Sequence, residues 1–279
     1  MDTPQSYDEF KFSNGYIKRR IRDSEERQLY TPVHADFLRT GAFLPPSNKL
    51  SLKFYRADDA FLLLTPLEGT SYRLKITDLK LHYSRVVLAE NIPPPKKEHY
   101  LLTRTELRRF PIASGLQTTS VAIHRDGRLP TSIVIGQVLT AACEGSFQHN
   151  PFNFAHFDLS RLNLTVNGEP VPAQPYTPDF ENSNFAREYY ALFSNLGLGN
   201  NSNLVTIDQF KGGCALFATD LSPDSCSGRH FHPSAVGTVE LCLSWSKPIA
   251  RPLTILCYLT FEEIASHSRE EGTYTVEVI

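Results

Sequence analysis

An all-β fold, a jelly-roll β-sandwich with one inserted amphipathic helix, is what this sequence predicts, on three observations. Apolar residues recur with period two in eight or more short runs, turn residues separate the runs, and one stretch alone carries a helical period. The 279 residues are 41% hydrophobic and 21% charged, with 18 Phe and 12 Tyr, which supplies a sizeable core and excludes disorder, collagen and coiled coil.

Residues 1–29 are polar, with Lys18, Arg19, Arg20 and Arg22 beside Asp23, Glu25 and Glu26, and read as an N-terminal arm or linker. Val33, Ala35 and Phe37 form one expected strand and Leu50, Leu52 and Phe54 the next, with Pro45-Pro46-Ser47-Asn48 as the turn between them. Tyr72 to Ala89 reads as a long strand: Leu74 and Ile76 share a face, the phase slips at Thr77-Asp78, and Leu79, Leu81 and Tyr83 follow, which is the pattern of a bulge. Pro93-Pro94-Pro95 ends that run, and residues 90–110 are expected to form a long loop.

Val121 and Ile123, then Ile133 and Ile135, continue the alternation, with Asp126-Gly127 as an expected hairpin turn and Asn167-Gly168 as a second one. The helix is Phe185 to Leu196: Phe185, Tyr189, Leu192, Phe193 and Leu196 share a face, Asn184 is the expected cap and Gly197 the stop. Val239, Leu241, Leu243 and Trp245 alternate cleanly, as do Leu253, Ile255, Cys257, Leu259 and Phe261 after the Lys247-Pro248 turn. These two runs are expected to be adjacent antiparallel core strands with Trp245 anchoring the inward face. The domain division is then an arm at 1–29, a sandwich domain at 30–265 and a C-terminal tail at 266–279.

The balance of charge argues against bulk attraction to polyanions, since the net charge is -2. No apolar run reaches membrane-span length and MDTPQSYDEF lacks the regions of a signal peptide, so the chain is expected to be intracellular, not secreted, with no membrane partner. Five cysteines, odd in number and without a CxxC pair, fit reduced thiols. Cys226, His230 and His232 in CSGRHFH lack a fourth ligand nearby and read as a surface loop, so no metal is assigned. His124-Arg125-Asp126 lacks the phosphate loop and metal-binding motif that would give it kinase meaning. No GxSxG, HExxH, GxGxxG or P-loop occurs, the pairs Asp58-Asp59 and Glu262-Glu263 read as solvated strand ends, and His34, His82 and His124 are scattered. No enzyme, cofactor or small-molecule substrate is therefore expected. Arg104, Arg108 and Arg109 among Leu107 and Phe110 read as a solvated loop, without the aromatic series of a nucleic-acid site.

Aromatic and proline landmarks stand out instead. Asn150-Pro151-Phe152-Asn153-Phe154-Ala155-His156-Phe157 reads as a corner packed by aromatics, and Pro175-Tyr176-Thr177-Pro178-Asp179-Phe180 as a stiff connection into the helix. With Asn167-Gly168, Val171-Pro172, Arg187-Glu188-Tyr189, Ala215 to Asp224 and Gly237 to Leu241, these resemble in order the C-terminal half of the major capsid proteins of Polinton (Maverick) elements and adintoviruses, which also exist as gene copies in animal genomes. Upstream the resemblance reaches Asp58-Asp59-Ala60-Phe61 and Phe110-Pro111-Ile112, so it covers about Tyr30 to Ile264.

The resemblance implies a double jelly roll standing in a capsid shell, three chains to a pseudo-hexagonal capsomer, with this chain supplying the second roll. It implies no catalytic residues; Phe152, Phe154, His156, Tyr189 and Asp220 would be packing and turn positions. Two departures are visible: only 29 residues precede the resembling region where a full member has a whole first roll, and Asn195 to Gly213 lacks an acidic glycine-rich loop. The expectation is a capsid-type subunit, truncated or host-retained, or a single roll that works with a second jelly-roll chain. The alternative is a non-enzymatic binding module, lectin-like or protein-recognising.

Overall fold

The computed structural model of the chain describes residues 25–39, 51–65, 67, 69–87, 97–198, 205–222, 235–268 and 273–277. Among them nine strands carry the fold: β1 (Lys97–Ile112), β2 (Thr118–Arg128), β3 (Ser132–Leu139), β4 (Leu159–Val166), β5 (Glu169–Pro170), β6 (Phe217–Asp220), β7 (Val236–Trp245), β8 (Leu253–Ser268) and β9 (Thr273–Glu277). Four helices accompany them, α1 (Asp59–Leu62), α2 (Thr140–Glu144), α3 (Ala186–Ser194) and α4 (Ile207–Gly213), with a 3-10 turn at Asp36–Arg39.

All pairings between strands are antiparallel and fall into two sheets, β1-β8-β3-β6 and β2-β7-β4-β5, with β9 added to β8. Apart from the β4–β5 hairpin, successive strands from β1 to β8 alternate between the sheets, which is the eight-strand double Greek key of a jelly roll. The fold is thus an all-β jelly-roll β-sandwich. Its core lies between the sheets, where Ile133, Ile135, Leu253, Ile255, Cys257, Leu259 and Phe261 of one face Ile123, Leu162, Leu164, Val239, Leu241, Leu243 and Trp245 of the other.

Alternation fixes which face a residue occupies, not which sheet its strand joins, and this explains two differences from expectation. The runs of β7 and β8 do bury their odd positions, but the strands lie in opposite sheets and face each other across the core. Asp126-Gly127 is no hairpin turn: it lies within β2, whose neighbour is β7, while β3 pairs with β8 and β6. Register against β7 slips between Ala122 and His124 and again between His124 and Gly127, so the pair is an edge-strand bulge, with Asp126 at φ 48°. Asn167-Gly168 is the hairpin turn expected, both residues at positive φ between the paired Val166 and Glu169.

Residues 97–110 are strand, not loop. The even positions of β1 face inward and pair with inward residues of β8: Ile112 with Leu253, Phe110 with Ile255, Arg108 with Cys257, Glu106 with Leu259 and Arg104 with Phe261. Charged residues on the buried face disguise its period; Pro93-Pro94-Pro95 lies outside the described residues.

The expected early strands are absent from the described residues. Val33 and Ala35 lie in irregular chain before the 3-10 turn, and 51–58 and 71–87, including Thr77-Asp78, belong to no helix or ladder; Leu50, the Pro45 turn and Ala89 lie outside the described residues. Among the described residues, buried hydrophobic ones begin only at Tyr100. The helix forms over α3, with Phe185 and not Asn184 at the N-cap position and Asn195 at the C-cap; α1, α2 and α4 were not expected. In the tail, β9 pairs Thr273–Glu277 with Ser268–Ile264, so the sheet continues past residue 265.

Candidate functional site

The landmark residues gather where the long β3–β4 and β5–β6 connections meet over one end of the sandwich. Asn150 Oδ1 accepts from the Phe152 N–H at 2.9 Å, which makes the turn that buries Pro151 and turns Phe152 outward, 61% exposed, with an edge contact to Phe61. Phe152 is therefore a surface residue and not a packing position. Asn153 donates its N–H to Asn150 O. Phe154 joins the other connection by two backbone bonds, its N–H to Gly213 O and its C=O from the Ala215 N–H, both 2.8 Å. Its ring lies over Gly136 of β3, where a Cβ would come within 2.8 Å of Phe154 Cδ1 and Leu216 Cδ2, so only glycine fits without a shift.

His156 stacks on Phe180 at 4.1 Å and 10°. From Phe180 the rings run on through Phe185 (5.0 Å), Phe210 (5.7 Å from Phe185) and Phe217 (6.0 Å, edge-on), which ties the cap to β6. Burial depresses the His156 pKa, with Lys211 acting the same way and Asp158 against it; its Nδ1 accepts from the Asp158 N–H at 2.9 Å, which requires the neutral ring. Pro178 is buried, and Asp179 holds its loop by accepting from Asn182 N (3.0 Å) and Nδ2 (2.7 Å) and by exchanging backbone bonds with Asn184. Those side-chain bonds from Asn182 hold the Asp179 carboxyl below its ordinary value.

Three consecutive α3 residues fasten two pieces of chain. Arg187 donates to Pro175 O (2.9 Å) and Gln174 O (2.6 Å) over the Tyr176 ring, buried Glu188 accepts from the Thr177 N–H (3.1 Å), and Tyr189 Oη donates to Val205 O (2.8 Å). Helix α4 opens with a capping box, Thr206 with Gln209, and buries Phe210; Thr206-Ile207-Asp208-Gln209 was the sequence signal that would have found it. Asp220 ends β6 by accepting from Ser222 N (2.9 Å) and Oγ (2.6 Å). Trp245 is buried at the same end of β7 that pairs with Leu159.

The charged residues are equally structural. Glu106 pairs with Arg104 and with Arg108 (2.7 Å), and Arg104 Nε reaches Glu263 at 2.5 Å while its guanidinium lies over the Phe261 ring. Burial opposes ionisation of Glu106, but the bonds from Arg108 and Arg104 outweigh it and hold the carboxyl low. Glu262-Glu263 therefore lies within β8, and Asp59 opens α1 and binds Arg56, so neither pair is a solvated strand end; Arg104 and Arg108 are not in a loop. Burial pushes the Cys257 thiol up to about 12, with Arg108 pulling the other way, which makes it an inert core thiol.

The sandwich also obstructs its own edges. On β1, Asp36 accepts from Thr105 N (2.9 Å) and Oγ1 (3.2 Å); on β2, Arg108 occupies Ile123 O (2.6 Å) beside the bulges; on β6, Tyr176 Oη (3.2 Å) and Asn195 Nδ2 (2.8 Å) share Ala218 O. Two further edges are short, β5 of two residues and β9 of five.

Among the described residues no group of three or more His, Cys, Asp or Glu could hold a metal ion, and no helix is long and apolar enough to cross a membrane; CSGRHFH lies outside them. Of the three histidines expected on strands, only His124 is on one. What the arrangement does is hold two long connections rigid on a sandwich.

No protein-family model matches the sequence. A curated Caenorhabditis elegans protein, described as uncharacterized protein F54H12.2, is 24% identical over 269 residues, a match that takes in 91% of this chain and 64% of that protein. The chain thus spans less than two thirds of that relative's length. Among solved structures it is similar to the mavirus major capsid protein (TM-score 0.37, 8% identity, 67% of this chain and 42% of that one). It is also similar to the PBCV-1 virus capsid (0.37, 8%, 66% and 52%) and to the Sputnik virophage structure (0.41, 13%, 68% and 40%).

Proposed function

We propose that this chain is a capsid-type structural subunit of the Polinton and adintovirus kind, or a truncated or host-retained form of one, with residues 30–265 as the capsid-like unit. The observation that carries the reading is where apolar surface lies. Among the described residues, 13 of the 22 exposed large apolar side chains fall between Leu29 and Val87, a stretch that adds no hydrophobic side chain to the core. Such a surface serves association better than solubility. The jelly roll hosts capsid, lectin and cupin domains alike, and fold alone does not choose among them. The ordered landmarks favour the capsid member: they fasten connections and present no pocket chemistry.

On this reading the subunit is non-enzymatic and takes no cofactor, and it belongs in a virion where the gene is viral. It associates with copies of itself in a trimer-like capsomer or packs beside a second jelly-roll chain. Light scattering of the purified chain tests this. Trimers, hexamers or polydisperse assemblies that change little with salt are the expected result, since hydrophobic burial drives them. A stable monomer at high concentration that binds a glycan or peptide through its loops would replace the capsid role with a binding module.

A further inference from the structure

The side chain of Asn167 stands in for a backbone carbonyl at the end of the β4–β7 ladder. Its N–H donates to Thr238 O at 2.9 Å and its Oδ1 accepts from the Thr238 N–H at 2.9 Å, so a residue already in the turn exchanges two bonds with β7. The chain then curls away through Asn167 (φ 52°) and Gly168 (φ 88°) into β5. β7 leaves the amide its space by carrying Gly237, where a Cβ would come within 2.3 Å of Asn167 Oδ1 and 2.6 Å of Nδ2. Both turn residues are exposed, and no atom lies within 4 Å of the place a Gly168 Cβ would take. Glycine after asparagine leaves its own nitrogen open to the side-chain amide, because it has no Cβ to block the approach.

We propose that Asn167 is a deamidation site whose reaction is gated by its bond to Thr238. Ring closure joins the Gly168 nitrogen to Asn167 Cγ and breaks Cγ–Nδ2. Ammonia leaves with the Gly168 amide proton, and a succinimide remains. Water then adds to either imide carbonyl and returns a proton to the nitrogen. Cleavage at Cγ gives aspartate; cleavage at the main-chain carbonyl gives isoaspartate, whose backbone runs through the former side chain and is longer by one methylene. The ring cannot close while Oδ1 stays on Thr238, since Cγ must turn onto the Gly168 nitrogen. Aspartate keeps an acceptor for Thr238. Isoaspartate lengthens a two-residue turn between the paired Val166 and Glu169, and so frees the two-residue β5 from β4. The reaction is a slow covalent step that opens one edge of the sandwich, whether or not the chain assembles.

The folded chain is kept at mildly alkaline pH while peptide mass spectrometry follows Asn167, with Asn14-Gly15, the other Asn-Gly pair of the sequence, as the chemical reference in each sample. Conversion at Asn167 should be about tenfold or more slower in the folded parent than in the denatured chain. In low urea, conversion at Asn167 and hydrogen exchange of the Thr238 amide should rise together, because one opening releases both. Gly237→Ala drives the Asn167 amide off Thr238 and should restore about tenfold of the rate, with Asn14 unchanged. Aged protein should lose exchange protection at the Val171 N–H, which donates to Leu164 O at 2.8 Å, while Asn167→Asp keeps it. Equal conversion in folded and denatured chain, or conversion that does not follow Thr238 exchange, overturns the gating, and both are read on the parent alone. A folded Gly237→Ala variant converting at the parental rate overturns it too, and unaltered Val171 protection in isoaspartate-containing protein overturns the opening of the β5 edge.

Discussion

Trp245 and Gln137 join the two sheets by a single buried hydrogen bond: the indole Nε1–H of β7 donates to Oε1 of β3 at 2.9 Å, with each residue 1% exposed. Gln137 Nε2 turns toward His156 O (3.5 Å), so the same side chain links the core to the cap. Truncating Trp245 to Ala should cost about 3–5 kcal/mol through lost contacts and a cavity. Phe at 245 keeps most of the volume but strands the Gln137 amide, at about 1–3 kcal/mol. Chemical denaturation measures both, and a Trp245→Ala variant as stable as the parent would show the core to be misplaced.

Gly136 makes room for the cap. In Gly136→Ala the new methyl meets Phe154 and Leu216 at 2.8 Å, and the ring is less able to give way than the leucine tip. Loss of about 1–3 kcal/mol is expected, with part recovered when Phe154→Leu is added. A single variant of parental stability would mean that the β3–β4 connection is not seated as described.

Acid should loosen the cap through His156. Its folded pKa lies below the ordinary 6.5, first because of burial, so between those two values the unfolded chain binds the proton that the folded chain does not. The contribution to stability is complete above the unfolded value and is lost as pH falls through 6.5 toward the folded one. Denaturation midpoints should therefore drop from about pH 7.5 to 5.5, more steeply in the parent than in His156→Phe, which keeps the stack and removes the titration. Parallel pH profiles would remove His156 as the source.

The edge of β1 should become adhesive without Asp36. Asp36→Ala frees the Thr105 N–H, at a cost of about 1 kcal/mol, and should raise aggregation on mild heating, whereas Asp36→Asn retains an acceptor and should sit between. Light scattering during a thermal ramp reads the difference; identical onset in all three would deny Asp36 a protective role.

How much of this was legible follows from what each pattern encodes. Val239 to Trp245 and Leu253 to Phe261 showed their buried faces because every inward position is apolar, and Asn167-Gly168 showed its turn because both φ angles must be positive. Helix α3 was readable from one apolar face, though Asn184 pairs with Asp179 instead of capping it. β1 was hidden because Arg104, Glu106 and Arg108 occupy inward positions, stable only with Glu263 and with one another. Asp126-Gly127 misled because the same dipeptide that closes a hairpin also kinks an edge strand. Residues 71–87 misled in the opposite way: the strand pattern is present and the neighbour is not. The cap residues were recognisable as a set, but which of them pack and which face solvent, as Phe152 does, depends on α1 and α4 lying where they do.

The central claim, that this sandwich is a subunit of a larger ordered assembly, is tested most directly by electron microscopy of the concentrated chain. Particles of several chains, trimers or hexamers among them, are the predicted result. Single particles of one chain's dimensions at every concentration, with the protein stable and soluble, would contradict it.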